Sequence, residues 1–236
     1  MTLKILDTGK RSAQENMDID AALLKDLGAE PILHIYEWDG PSATHGHFIK
    51  PSDYLCLHKA EENTLQLGRR PTGGGIIFHV SDWAFSILVP STHPQFSLNT
   101  LDNYHLINTA VQAAVKKFID HDPNLLPEEP MPLDESCRSF CMAKPTKYDV
   151  MLGSQKIAGA AQRRMRQGFL HQGSICVAHP PKALLEAVLL PGTQVLSAME
   201  QHTYSLLGKE AGLCELIEAR GYIKDLVIEQ FKIRLN

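Results

Sequence analysis

Three groups in this chain could make and break an acyl bond: a thiol, a primary amine, and backbone N–H groups bared by glycine. Cys141 stands in the run Phe140-Cys141-Met142-Ala143-Lys144-Pro145, eight residues before Asp149. A thiolate is a strong nucleophile, but a cysteine with an ordinary pKa near ~8.5 is mostly thiol at neutral pH. A neighbouring cation raises the thiolate fraction. Lys156 is the candidate for that cation. It follows Gly153-Ser154 and leads into Ile157-Ala158-Gly159-Ala160-Ala161, whose small residues leave room beside the strand. An ammonium there could meet a substrate carboxyl or stabilise an oxyanion. On residue type alone the bland alternatives stay open: an exposed hairpin lysine and a small, buried, inert cysteine.

The third group is the run Arg69-Arg70-Pro71-Thr72-Gly73-Gly74-Gly75. Three glycines in succession let a ligand lie against the main chain, with its N–H groups turned toward an anion or carbonyl. The two arginines add positive charge and paired donors. The loop lacks the Gly-Lys-Ser/Thr ending of a P-loop and the spacing of a dinucleotide fingerprint, which argues against both common nucleotide sites. A flexible turn with a solvated basic pair is the competing reading. Against it, the loop runs directly into the apolar strand 76–80, where slack is costly. His79 on that strand is either a hydrogen-bonded strand histidine or part of a site. Cys137 and Cys141 have no second Cys or His pair at zinc spacing, and His45 and His47 sit in a polar loop, so no metal site is expected.

These groups need a scaffold. Ser12 and Glu15 form a capping box that starts a first helix, with apolar Met17, Leu23, Leu24 and Leu27 behind it. Residues 31–36 read as a strand, 38–52 as a polar loop and 58–67 as a helix. Residues 76–80 and 83–89 read as two apolar strands joined in a hairpin. Thr100 caps a long helix reaching about residue 119. A proline-rich surface loop spans 123–132. A second hairpin pairs 148–152 with 156–161, a strand covers 169–177, and helices cover 181–190 and about 208–231. Hairpins mixed with helices predict an α+β fold, a mixed and largely antiparallel sheet flanked by helices. One domain over 1–236 is expected, with a helical tail from about 206.

Composition narrows the function classes. The 236 residues are 44% hydrophobic and 21% charged, with a formal net charge of −4. No basic excess points to nucleic acid, and no polybasic block or long apolar run points to a membrane. The start lacks the apolar run of a signal peptide, so a cytoplasmic location is expected. The five cysteines, Cys56, Cys137, Cys141, Cys176 and Cys214, are odd in number and irregular in spacing, which predicts reduced thiols.

Arg-Arg-x-Thr-Gly-Gly-Gly followed by a strand and His79 resembles the acyl-binding loop of the lipoate-protein ligase and octanoyltransferase family. That family shares its catalytic domain with biotin-protein ligases. Lys156-Ile157-Ala158-Gly159-Ala160-Ala161-Gln162 resembles the family's lysine motif, and Leu170-His171-Gln172-Gly173-Ser174-Ile175 resembles a later family strand. The resemblance covers residues 32–177 and implies a biotin/lipoyl ligase-like fold. It implies that Lys156 holds the acyl carbonyl and that Arg70, Thr72, Gly73, Gly74, Gly75 and His79 line the acyl site. Ile76, Ile77 and Phe78 would supply apolar walls, with Asp149, Gly159 and Ala161 beside the reacting centre.

The segment around Cys141 resembles the nucleophile region of the cysteine-dependent octanoyltransferases. That branch forms an acyl-thioester on the enzyme and requires no cofactor. The alternative branch spends ATP with Mg2+ to make an acyl-adenylate, and a catalytically dead acyl- or lipoyl-domain-binding relative is a third reading. Many ligases carry a further C-terminal domain for which this chain is too short, which favours the transferase. The implied recipients are lipoyl carrier domains, such as the E2 component of 2-oxoacid dehydrogenases or the H protein of glycine cleavage. The implied donors are an octanoyl-carrier protein or free lipoate.

Overall fold

In the computed structural model the chain is described over residues 2–128, 131, 135–208 and 211–236. In chain order the elements are β1 (Lys4–Arg11), α1 (Ala13–Lys25), β2 (Ile32–Trp38), β3 (Ser42–His45), α2 (Leu57–Glu62), β4 (Gln66–Arg69), β5 (Ile76–His79) and β6 (Asp82–Pro90). Then follow α3 (Thr100–Ile119), β7 (Asn124–Leu125), β8 (Val150–Leu152), β9 (Gln155–Met165), β10 (Gly168–Cys176), α4 (Lys182–Val188), α5 (Val195–His202) and α6 (Leu213–Leu235).

Ten strands form two sheets among the described residues. The larger has the order β1-β2-β6-β10-β9-β8-β7, and the smaller β4-β3-β5. Apart from the parallel β1–β2 pair, the large sheet is antiparallel throughout, as expected for this α+β fold. Strands β6 and β10 are buried along their whole length and pair from Gly168–Pro90 to Cys176–Asp82. They read as continuous apolar or small-residue runs because both of their faces are covered.

One face of the large sheet is dry. Phe85, Ile87, Val89, Phe169 and Ile175 pack there against Ile107, Val111 and Val115 of α3 and against Val227 and Phe231 of α6. Each such large side chain contributes about 1.5–3 kcal/mol on burial. The C-terminal helix is thus a working part of the core and not a loose tail. A second apolar cluster joins Ala43, Ile76 and Phe78 of the small sheet to Leu185 of α4 and Ala198 of α5.

The start of α1 follows the capping-box expectation, with Ser12 accepting from the Glu15 amide and Glu15 accepting from the Ser12 amide. Other expectations needed correction. Asn99 and not Thr100 caps α3, its side chain accepting from Leu101 N. The supposed polar loop 38–52 contains β3, and the supposed helix 58–67 ends at Glu62, its last two residues opening strand β4. Both short strands gain their hydrogen bonds from distant chain, so no local periodicity announces them. Residues 76–80 and 83–89 are not a hairpin: β5 pairs with β3, while β6 pairs with β2 and β10. Within the loop expected over 123–132, residues 124–125 form β7, which pairs with β8. Residues 129, 130 and 132 of that loop lie outside the described residues.

Candidate active site

The second face of the large sheet meets the small sheet across an open cleft that takes in about 430 Å3 together with the solvent at its mouth. Lys156, Gly159 and Ala161 of β9 and Gln172 and Ser174 of β10 line one side. Ala84 of β6, Tyr36 of β2 and Met17 of α1 continue that wall inward. Thr44 of β3, Ile77 and His79 of β5, and the side chain of Arg70 close the other side, with Cys141 and Met142 between.

The registers explain this layout. Ala161 pairs with Gln172 and Gly159 with Ser174, and the latter two pair with Ser86 and Ala84. Alternation puts all of them on one sheet face. The wall therefore crosses the sheet from β9 to β2, three strand spacings or roughly 14 Å.

Lys156 is 2% exposed. Its ammonium lies 2.7 Å from Asp149 Oδ2 and donates to the backbone carbonyl of Cys141 at 2.8 Å. An ammonium has three N–H donors, so one remains for the cleft. Asp149 is held in turn by the amide and hydroxyl of Thr146, at 2.6 and 3.0 Å. Burial pushes the Asp149 carboxyl above its ordinary value, against the pull of the Lys156 ammonium. Gly159 makes the arrangement possible: a Cβ there would lie 2.3 Å from Lys156 Cε and 2.4 Å from Nζ.

The glycine loop approaches the same point. Gly74 has φ +85°, and a Cβ on it would lie 3.6 Å from Ala161 Cβ and 3.8 Å from Cys141 Sγ. Cys141 is partly exposed and tied to the loop's following strand through its amide, which donates to Ile76 O at 2.9 Å. The ammonium of Lys156, the thiol of Cys141 and the turn at Gly74 therefore meet at one end of the cleft.

The loop itself is held differently from the sequence expectation. Arg70 lines the cleft but turns three of its five N–H donors back onto the protein. They go to Thr44 Oγ1, Gly73 O and Gly75 O, at 2.8, 3.0 and 2.7 Å, and its Nε is buried without a partner. It acts as a staple that curls the three glycines around its guanidinium. Thr72 points away into a hydrogen bond with Gln172 Oε1 at 2.7 Å.

Of the residues expected at the site, Arg70, His79, Cys141, Lys156, Gly159 and Ala161 line the cleft. Gly74 adjoins it through Ala161 and Cys141, and Thr72, Gly73, Gly75 and Asp149 lie outside its lining. The expected apolar wall splits by strand alternation: Ile77 faces the cleft, and Ile76 and Phe78 face the second core.

His79 donates from Nδ1 to Asp82 Oδ2 at 2.7 Å, shares Thr44 Oγ1 through Nε2 at 2.8 Å, and stacks on Trp38 with ring centroids 4.2 Å apart. Ser174 donates to the same Asp82 oxygen at 2.6 Å. Burial alone would raise the Asp82 carboxyl, but His79 and Ser174 hold it below its ordinary value. Met17, Tyr36, Thr44 and Ala84 escaped the sequence reading because each comes from a different element, with no shared motif to signal it.

The two cations lining the cleft, Lys156 and Arg70, are each partly engaged by protein acceptors. Among the described residues no three His, Cys, Asp or Glu side chains are grouped to hold a metal ion.

Comparison with known proteins gives a consistent pattern. The model of the lipoyl protein ligase A/B catalytic domain matches residues 12–233. The octanoyltransferase LipM of Kyrpidia tusciae is 28% identical over 214 residues, covering 87% of this chain and 78% of that protein. The octanoyltransferase LipM of Bacillus subtilis is 25% identical over 225 residues, covering 93% and 80%. Among solved structures, the bipartite lipoate protein ligase of Thermoplasma acidophilum, described with its E2 lipoyl domain, superposes with a TM-score of 0.72. It is 20% identical and covers 100% of this chain and 84% of that one, a likeness of fold.

Proposed function

This chain belongs to the lipoyl protein ligase A/B catalytic domain family, and on that premise we propose that it moves an octanoyl or lipoyl group onto one lysine of a lipoyl carrier domain through a thioester on Cys141. The observation that carries this is the cluster of Lys156, Cys141 and the Gly74 turn at one end of the cleft. The octanoyltransferase relatives support the transferase branch, which draws on no ATP.

In the first step the Cys141 thiolate attacks the acyl carbonyl of a carrier-bound donor. The carrier thiol leaves, and the chain stays on Cys141. In the second step the amine of the acceptor lysine attacks that thioester and Cys141 is released. Each step passes through a tetrahedral oxyanion, and the free N–H of Lys156 is its donor. Asp149 and Thr146 fix the ammonium beforehand, so no reorganisation is required when charge develops. The acyl chain runs inward from β9 toward β2, past Ile77 and Ala84, to Met17 and Tyr36.

The test mixes the protein with a lipoyl domain and either an octanoyl-carrier protein or lipoate with ATP and magnesium, and weighs the products. The expected result is acylation from the carrier without ATP, with a mass gain on the enzyme that disappears in Cys141→Ser. Acylation that needs ATP and survives Cys141→Ser would establish the ligase instead. No acylation in either mixture would leave a binding protein. Lys156→Ala should lower turnover by about 100- to 1,000-fold under either catalytic scheme.

A further inference from the structure

Among the described residues, three that are not glycine hold a left-handed backbone: Thr64, Asp120 and Tyr148, with φ of +53°, +51° and +68°. The first two stand where α2 and α3 end, an ordinary place for that conformation. Tyr148 has no helix to end. It stands directly before Asp149, and its bulk makes the left-handed form costly.

Tyr148 lies in a tight turn that Asp149 closes, the Asp149 amide donating to Thr146 O at 3.0 Å. The peptide between Tyr148 and Asp149 is therefore gripped at both ends. Thr146 holds its N–H, and its carbonyl, Tyr148 O, accepts from Asn108 Nδ2 at 2.8 Å. Asn108 belongs to α3 and is 3% exposed. Tyr148 N donates to Leu126 O at 2.8 Å, and the ring meets His105 edge-on with centroids 5.3 Å apart.

The orientation of that peptide sets where the Asp149 carboxylate points. Asp149 Oδ2 lies 2.6 Å from Thr146 N and 2.7 Å from the ammonium of Lys156. A turn released from the left-handed form would swing the peptide and carry the carboxylate off the ammonium. Strain of this kind persists only where the surroundings over-determine it.

Resting on the acyl-transfer reading above, we infer that Asn108 is a positioning residue for Lys156. It clamps the Tyr148 carbonyl, keeps the turn left-handed, and so holds Asp149 against the group that meets the oxyanion. A residue at 148 that adopts the left-handed form freely makes this clamp dispensable, and glycine is such a residue.

The test uses the whole protein with Asn108→Ala, alone and combined with Tyr148→Gly or Tyr148→Ala. Acyl transfer per folded molecule is one readout. The other is acetylation of Lys156 by acetic anhydride without any acyl donor, read at that residue by peptide mass spectrometry. Asn108→Ala should slow transfer about tenfold, and the loosened Lys156 should label about tenfold faster. Adding Tyr148→Gly should bring both back to within about threefold of the wild type. Adding Tyr148→Ala removes the same ring without favouring the left-handed form, and should restore neither. Asn108→Leu fills the same space without a donor and should match Asn108→Ala, which guards against an alanine variant that does not fold. A general loss of packing would not be repaired by removing a further side chain. Wild-type transfer and labelling in both Asn108 variants, or no better recovery with glycine than with alanine at 148, would overturn the inference. Labelling that follows this pattern in a protein that transfers no acyl group would support the clamp and defeat the catalytic reading.

Discussion

Two histidine–aspartate networks run through this molecule with nearly the same parts. In one, His34 bonds Asp20 through Nδ1 at 2.7 Å and Thr8 through Nε2 at 2.9 Å, and Ser86 donates to the aspartate at 2.6 Å. In the other, His79 bonds Asp82 at 2.7 Å and Thr44 at 2.8 Å, and Ser174 donates at 2.6 Å. Residue types and distances barely differ. Asp20, however, has both oxygens occupied, because His34 bonds Oδ1 while Ser86 and Gln172 Nε2 both donate to Oδ2, and its side chain is fully buried where α1 meets the sheet. Asp82 keeps one oxygen bare, and its network stands between the cleft and a second cavity. Valence decides the difference: one network has both carboxylate oxygens filled, and the other leaves a buried oxygen unmet.

This contrast has measurable consequences. The largest is in stability. Asp20→Ala orphans three donors in a sealed site and should cost about 3–5 kcal/mol in urea unfolding. Asp82→Ala orphans two donors beside cavities and should cost about 1–3 kcal/mol. Equal costs would erase the distinction between scaffold and site.

The next effect is on turnover. Gly159→Ala places a methyl inside the contact distance of Lys156 Nζ, so the ammonium must shift and transfer should fall roughly 30-fold, about 2 kcal/mol of barrier. Gly153→Ala in the nearby turn has open space around it. It meets only the strain of φ +59° and should reduce stability by about 1 kcal/mol while turnover per folded molecule is unchanged. Comparable turnover losses in the two variants would show that the space beside Lys156 is not what matters.

A third buried histidine sharpens the comparison further, because it has no carboxylate. His171 bonds only Gln162 at 3.2 Å, Nε2 is unpartnered, and burial pushes its pKa down to about 3. The unfolded chain therefore binds a proton below pH ~6.5 that the folded chain refuses. Stability should fall as pH drops from there toward 3, by at most about 1.4 kcal/mol per pH unit. Unfolding titrations from pH 7 to 5 should show a shallower slope in His171→Phe than in the wild type. Parallel slopes would mean that His171 takes up its proton without disturbing the fold.

Much of this was legible in the chain because it rests on local chemistry. The capping box at Ser12 and Glu15, the turn at Gly153-Ser154 and the apolar face of α3 are each written in a few neighbouring residues. The glycine run marked a close backbone approach, and Gly159 next to Lys156 marked room for an ammonium. Strands β3, β4 and β7 were not legible, since their partners lie tens of residues away or more. The hairpin expected across Ser81-Asp82 was wrong for the same reason, because two adjacent apolar strands do not state which sheet each will join.

Residue types and their spacing determined which groups could react: a thiol at 141, an amine at 156 and a bare backbone at 73–75. Only the tertiary structure decided what each group does with its valences. It turned Arg70 from a ligand donor into a staple, because three acceptors of its own surroundings lie within reach. It also gave Asp20 and Asp82 different standing, since a hydrogen-bond vacancy depends on neighbours from distant strands, which a linear pattern does not contain.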